Sequence, residues 1–226
     1  MTGRRPVLLL AVVLAAVLGA GCSVPLLGTR TPPRLFDLAP PSDFTGSAPP
    51  VTWQLGVAEP IAGRALDTDR IALRPDAHEL RYYGGARWAD RAPRMLQSLL
   101  VDSFERSGRI VRVARQSIGF AGDYELHAEI RAFEARLPPG AAGGTPRVHV
   151  RLVLRLVRAP RGEIVDTVTL ESEAPASGRE IEQVVAAFER AVQDVCRKAV
   201  AWTIERGEAD RVSASRTRTG SGRPTG

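Results

Sequence analysis

Cysteine occurs only twice in the 226 residues, at positions 22 and 196, and histidine only three times. No local grouping of these residues supplies the four ligands of a structural zinc site, so metal is not expected. Lysine occurs once, at Lys198; the remaining basic residues are arginines, interspersed with acids rather than clustered. The formal charge of +6 falls by two if Arg4 and Arg5 are removed with a leader. An excess this small and this scattered excludes the basic stripe of a nucleic-acid-binding protein. G-x-S-x-G, H-E-x-x-H and Walker A sequences are absent, so neither an enzyme nor a cofactor is expected. What the chain does have is 44% hydrophobic and 25% charged residues, the balance of a globular protein that buries a core without disulfides.

The strongest signal is at the N-terminus. Arg4 and Arg5 precede twelve apolar residues, Val7 to Leu18, and Gly19-Ala20-Gly21 leads directly to Cys22. Twelve residues of helix span about 18 Å, short of the roughly 30 Å hydrocarbon core, so the run reads as an export signal over residues 1–21 rather than a membrane span. A lone cysteine after such a run resembles a bacterial lipobox, in which the thiol is acylated, palmitate being one such acyl group, and begins the mature chain. Leu18 lies four residues before Cys22, one further than the lipobox pattern prefers. The alternative is ordinary cleavage after Gly21, leaving a free thiol. Ser23, rather than Asp, resembles an outer-membrane address facing the periplasm.

Residues 22–50 read as a lipidated cysteine followed by a spacer. Prolines 25, 32, 33, 40, 41, 49 and 50 hold the backbone extended, and only Leu35-Phe36-Asp37-Leu38 carries enough apolar mass to dock on a domain. Residues 207–226, rich in Gly, Ser, Thr and Arg, read as a disordered basic tail.

The folded unit is expected over 51–206. Trp53, Leu55 and Val57 share one face of a strand, and Ile71–Arg74 and Glu79–Tyr83 are shorter strands, the second closed by Gly84-Gly85. A helix follows, with Asp90 as N-cap, Pro93 in its first turn, Met95, Leu96, Leu99, Leu100 and Phe104 as its buried stripe, and Gly108 as its end. Ile110–Val113 is a strand. Tyr124, Leu126, Ala128 and Ile130 alternate with Glu125, His127, Glu129 and Arg131, and Phe133 falls out of phase, which predicts a bulge. Val148, Val150, Leu152, Leu154 and Leu156 face the core from the clearest strand, and Glu163–Glu171 is the next. Ser177 and Glu180 have capping-box spacing before a long helix whose stripe runs from Ile181 to Trp202. The expected class is α+β: a single domain, with a mostly antiparallel sheet of about five to seven strands and two main helices packed on one face.

Candidate chemistry is sparse. Arg147, Arg151 and Arg155, with His149, line the polar face of one strand and form a candidate contact for an anionic headgroup. Glu125, Glu129 and Glu134 on the neighbouring strand offer cross-strand partners that would cancel that charge. Asp67, Asp69 and Asp76 sit in turn contexts, His127 is one polar position in an alternating strand, and Cys196 reads as a small buried hydrophobe.

Leu35-Phe36-Asp37-Leu38, the run Leu66 to Arg74, Tyr82-Tyr83 and Arg87-Trp88-Ala89-Asp90, in this order behind a leader and cysteine, resemble the ABC-type transport auxiliary lipoproteins of the PqiC/YmbA group. The resemblance spans most of 34–205. It implies an outer-membrane lipoprotein, anchored through Cys22, that works with an inner-membrane ABC permease and ATPase and an MCE-domain protein in moving lipid across the periplasm. It also implies self-association into a homo-oligomer, for which exposed edge strands give room. An envelope lipoprotein that docks an assembly or synthase complex without handling lipid is the alternative.

Overall fold

The computed structural model describes residues 31–44, 50–116, 122–138 and 143–220. By its contacts the chain divides into Met1–Pro32 and Pro33–Gly226, and the fold is that of the second unit. Its elements are β1 (Arg34–Phe36), β2 (Val51–Val57), β3 (Ile61–Ala62), β4 (Arg70–Arg74), β5 (Arg81–Trp88), α1 (Ala92–Ser107), β6 (Ile110–Arg115), β7 (Tyr124–Arg136), β8 (Arg147–Arg158), β9 (Glu163–Pro175) and α2 (Ile181–Gly220).

The sheet is organised around β7. Along one edge β8 runs antiparallel to it through twelve residue pairs, and β9 continues the meander through twelve more. The opposite edge of β7 is shared by three short parallel partners in succession: β2 at Tyr124–Leu126, β3 at Glu129–Ile130 and β4 at Glu134–Arg136. From there the sheet forks. β6 adds to β2 in parallel, while β5 adds antiparallel to β4 and β1 adds parallel to β5. The class is therefore α+β, and among the described residues there are two helices and a sheet, mostly antiparallel by length of ladder, of nine strands where five to seven were expected. The surplus lies in β1 and β3, of three and two residues, too short to show a period of two.

Alternation in β7 and β8 has the predicted consequence. Tyr124, Leu126, Ala128 and Ile130 are buried, the register shifts between Ile130 and Ala132, and Phe133 and Ala135 resume the buried face. Val148, Val150, Leu152, Leu154 and Leu156 are at most 1% exposed. Each such side chain withdrawn from water stabilises the fold by about 1.5–3 kcal/mol. Val184, Phe188, Val192, Val195 and Ala199 of α2 pack into the same cluster, as do Leu96, Leu100 and Phe104 of α1. At its centre Trp88 meets Phe188 edge-to-face at 5.1 Å and Phe133 at 5.6 Å.

Several local expectations are corrected. Strand β5 does not close at Gly84-Gly85 but runs to Trp88, with Gly85 at φ 68° inside it. Asp90 does not cap α1. Arg91 holds that position without a side-chain bond, Asp90 accepts the Arg91 amide at 2.7 Å, and the Ala92 amide is satisfied by the Thr68 carbonyl at 3.0 Å. The C-terminal end of α1 is as expected, with Gly108 left-handed at φ 62° and its N–H on the Glu105 carbonyl. Ser177 likewise lies too early to cap α2; Gln183 reaches back to the Glu180 amide at 3.2 Å instead. That is the reciprocal half of a capping box with Gln at its third helical position.

The largest correction is at the C-terminus. The helix does not stop at Arg206 but continues to Gly220, about 60 Å in all. Residues just past the expected boundary are held by the sheet. Glu208 accepts from the Trp53 indole N–H at 2.8 Å, and Asp210 accepts from the Tyr124 hydroxyl at 2.7 Å and from Arg158 Nε at 3.0 Å. At the other end, residues expected as free spacer are engaged. β1 pairs with β5, Leu38 is buried, Gln193 of α2 donates to the Ala39 carbonyl and Arg197 pairs with Asp43. The expected docking of Leu35 to Leu38 is thus seen as a strand followed by a strap along α2.

Candidate functional site

The polar face of the β7–β8–β9 meander carries the sequence-predicted arginines. Strand alternation puts Arg147, His149, Arg151 and Arg155 on the face opposite the helices, and the flanking strands decide what meets them. Arg155 lies 3.6 Å from Glu129 of β7. Arg151 and Arg147 are met from the other side, by Glu171 at 3.6 Å and Glu173 at 3.7 Å of β9. The expected pairing with β7 alone is therefore corrected. Its bulge sets Ala132 opposite Arg151, removing a β7 carboxylate from reach. Glu125 turns to His127 and Gln116, at 3.0 and 2.9 Å. These exposed ion pairs are worth little in stability, about 0–1 kcal/mol each, but they answer the charge of the stripe.

Glu134 behaves differently. It is 2% exposed, beside the short parallel pairing of β4 with β7 that brings Arg74 across from Arg136. Arg74 grips it through both guanidinium edges, Nε to Oε1 at 2.7 Å and Nη2 to Oε2 at 2.9 Å, and Arg136 adds Nε to Oε1 at 2.9 Å. Burial by itself would raise the Glu134 pKa; the charge-assisted bonds from Arg74 and Arg136 outweigh it and hold the carboxyl below its usual range. His149, opposite Glu134 in register, is 6% exposed, with Nε2 3.6 Å from Glu171 and Nδ1 without a hydrogen-bond partner.

Beside Glu134 opens a cleft of about 870 Å³. Arg74, Arg131, Arg136 and Arg147 line it together with Glu134 and Asp76, and Pro75, Ala77, Leu137 and Pro138 give it apolar walls. Of the three predicted contact residues the structure brings only Arg147 into this cleft; Arg151 and Arg155 lie outside its lining. Arg74 and Arg136 were not singled out from the sequence: Arg136 faces Arg147 through the antiparallel register of β7 and β8, and Arg74 joins them only through the parallel register of β4 on β7. Cys22, the predicted acylation site, lies outside the described residues.

Other candidates resolve into structural roles. Asp76 Oδ1 accepts the His78 and Glu79 amides, as a turn residue should. Asp69 and Asp67, expected as turn caps, instead hold Arg87 and Arg91. Cys196 is a free thiol, fully buried, whose pKa desolvation pushes up to about 12, consistent with an inert core residue. Among the described residues no helix is long and apolar enough to cross a membrane, and no three His, Cys, Asp or Glu side chains converge as metal ligands.

The molecule is thus a sheet backed by two helices, with an ion-paired outer face and an arginine-lined cleft. The chain belongs to the ABC-type transport auxiliary lipoprotein component family, whose model matches residues 35–201. That is a family of transport components. The chain is similar to protein XCC0632 from Xanthomonas campestris, whose crystal structure superposes with a TM-score of 0.72 at 34% identity, covering 79% of this chain and 98% of that one. A second crystal structure shares the fold, with a TM-score of 0.58 at 14% identity over 77% of this chain and 99% of the other. Protein bll6063 of Bradyrhizobium diazoefficiens is 28% identical over 169 residues, which are 75% of this chain. The chain spans 44% of that relative's length.

Proposed function

We propose that the chain is the lipid-anchored auxiliary component of an ABC-type system that moves lipid across the periplasm, tethered to the outer membrane through acylated Cys22. On this reading it acts by docking to the MCE-domain protein of a system powered by an inner-membrane permease and ATPase, rather than by catalysis. The observation that carries the proposal is the family match over residues 35–201, downstream of a leader that ends at a lone cysteine. The strand β1 refines the geometry. Because the sheet already engages the chain at Arg34, the tether is the segment from Cys22 to Arg34, a reach of at most about 40 Å at about 3.3–3.6 Å per residue. A tether this short keeps the domain near the membrane that holds the anchor. The paired arginines of the meander then present a surface of alternating sign, suited to partner recognition by charge complementarity.

The test is made in a strain deleted for this chain, complemented with wild type or Cys22→Ser. Wild type is expected to incorporate labelled fatty acid, fractionate with the outer membrane and restore transfer of labelled phospholipid between the membranes. Cys22→Ser should remain folded, lose the label and fail to restore transfer, since two or three acyl chains at about 0.8 kcal/mol per buried CH₂ supply the membrane hold. An unlabelled wild-type chain, or unchanged lipid transfer in the deletion strain, would overturn the proposal.

A further inference from the structure

We infer that the cleft beside Glu134 is a phosphate-binding site, with Arg136 and Arg147 as the residues that touch the ligand. The reasoning starts from the buried carboxylate. Glu134 consumes Arg74 almost entirely, through Nε and Nη2, while Arg74 Nη1 leans on the Ala77 carbonyl at 3.5 Å. It consumes only Nε of Arg136, whose two Nη groups have no partner among the described residues. Glu134 thus acts as a positioning residue: it fixes the guanidinium plane of Arg136 at the cleft wall with the terminal donors free. The Arg147 side chain makes no hydrogen bond among the described residues, and Glu173 at 3.7 Å, with both side chains about half exposed, is a weak competitor for it. Planar donors held in place are what a phosphate or phosphodiester oxygen pair requires.

The lining as a whole carries four arginines against two carboxylates, and one of the two, Glu134, is sealed beneath its partners. Arg131 is matched by Glu129 at 2.9 Å and adds little. The volume of about 870 Å³ is in the range of sites for small organic ligands, and the Pro75, Leu137 and Pro138 walls give an attached apolar body a surface to lie on. Asp76 is the one repulsive group, and its Oδ1 is committed to two turn amides, so an asparagine there keeps the turn while removing the charge. The inference holds whether or not the chain serves lipid transport, because it concerns only what this cleft recognises.

Isothermal titration of the whole chain in a nonionic detergent tests it, with inorganic phosphate in one arm and monomeric dihexanoyl-phosphatidylglycerol in the other. Binding is expected in at least one arm. Comparable affinity for the two identifies free phosphate as the source, and markedly tighter binding of the phosphatidylglycerol identifies a lipid headgroup. Arg147→Gln, at a half-exposed position without a side-chain hydrogen bond among the described residues, should weaken binding about tenfold or more without touching the fold, the worth of one charge-assisted bond. Asp76→Asn should tighten it severalfold. The control Arg151→Gln/Arg155→Gln removes twice the charge from the same sheet face outside the cleft and should leave the affinity within about twofold. No binding in either arm, affinity unmoved by Arg147→Gln, or an equal loss in the control overturns the site.

Discussion

Gly207 lies inside α2, at the first residue of the segment that the sequence alone predicts as a disordered tail, and replacing it with alanine tests whether that helix really lies against the sheet. An added Cβ would fall 2.7 Å from Cζ2 of Trp53, 3.1 Å from Cε2 and 3.2 Å from Cη2. The indole cannot retreat. It is fully buried, packs edge-to-face on Tyr124 at 5.1 Å and is tied through Nε1 to Glu208 at 2.8 Å. Overpacking of this kind costs about 1–3 kcal/mol, while alanine gains about 1 kcal/mol over glycine in helix propensity. The net expectation is a loss of about 1 kcal/mol for Gly207→Ala. In a Trp53→Phe background the crowding atoms are gone, and the same substitution should become stabilising by up to about 1 kcal/mol. Urea denaturation of all four members of the cycle, followed by far-UV circular dichroism, would then give a coupling of about 2 kcal/mol. A stabilising Gly207→Ala in the wild-type background, or no coupling to Trp53→Phe in the cycle, refutes the packing of α2 on Trp53 and restores the tail.

Three further outcomes are expected. Leu152→Asp, at 1% exposure between β7 and β9 on the helix-facing side, should lose about 3 kcal/mol or more; a wild-type melting temperature would mean the faces of β8 are reversed. Glu134→Gln should lower stability near neutral pH, and because the native carboxyl titrates below its ordinary value of 4.5, its contribution is present above that value and vanishes as pH falls through the depressed one. Urea midpoints of wild type and variant should therefore converge as pH falls below the ordinary carboxylate range, and a gap that stays constant with pH would show that the Arg74–Glu134–Arg136 cluster does not titrate as described. Cys196, buried and with its thiol pushed up to about 12, should resist iodoacetamide at pH 8 in the native Cys22→Ser chain and react only on denaturation; prompt native labelling would place it at the surface.

The strongly periodic segments of the sequence foretell the strands and helices they become, because burial on one face is recorded in every second or every third and fourth residue. This holds for β7 with its bulge, for β8, for the stripe of α1 and for α2 up to Trp202. What periodicity cannot carry is who sits beside whom across a long loop. β1 and β3 are too short to repeat, and β5 passes through two glycines because its partners β4 and β1 hold it there. The extension of α2 is held by Glu208 and Asp210 bonding to Trp53, Tyr124 and Arg158, polar contacts that leave no apolar signature. The same limit applied to the cleft. Arg147 is legible as one arginine in an alternating strand, and Glu134 and Arg136 share a face of β7, whereas Arg74 reaches them only through the parallel register of β4 on β7.

The forked sheet also dictates an order of events during synthesis. Strand β7 is the common edge for β2, β3 and β4, yet it follows all of them, so Leu55 waits for Tyr124 and Ala72 for Glu134. Before β7 has emerged, only the β1–β5–β4 group and the β2–β6 pair can form, and nothing yet joins the two. The β7–β8–β9 meander is local and closes quickly once made, offering a template onto which the earlier half condenses, and α2 seals the assembly last. A topology of this kind raises the share of contacts that must form between segments far apart in sequence, which slows folding relative to a domain of the same size built from local pairings.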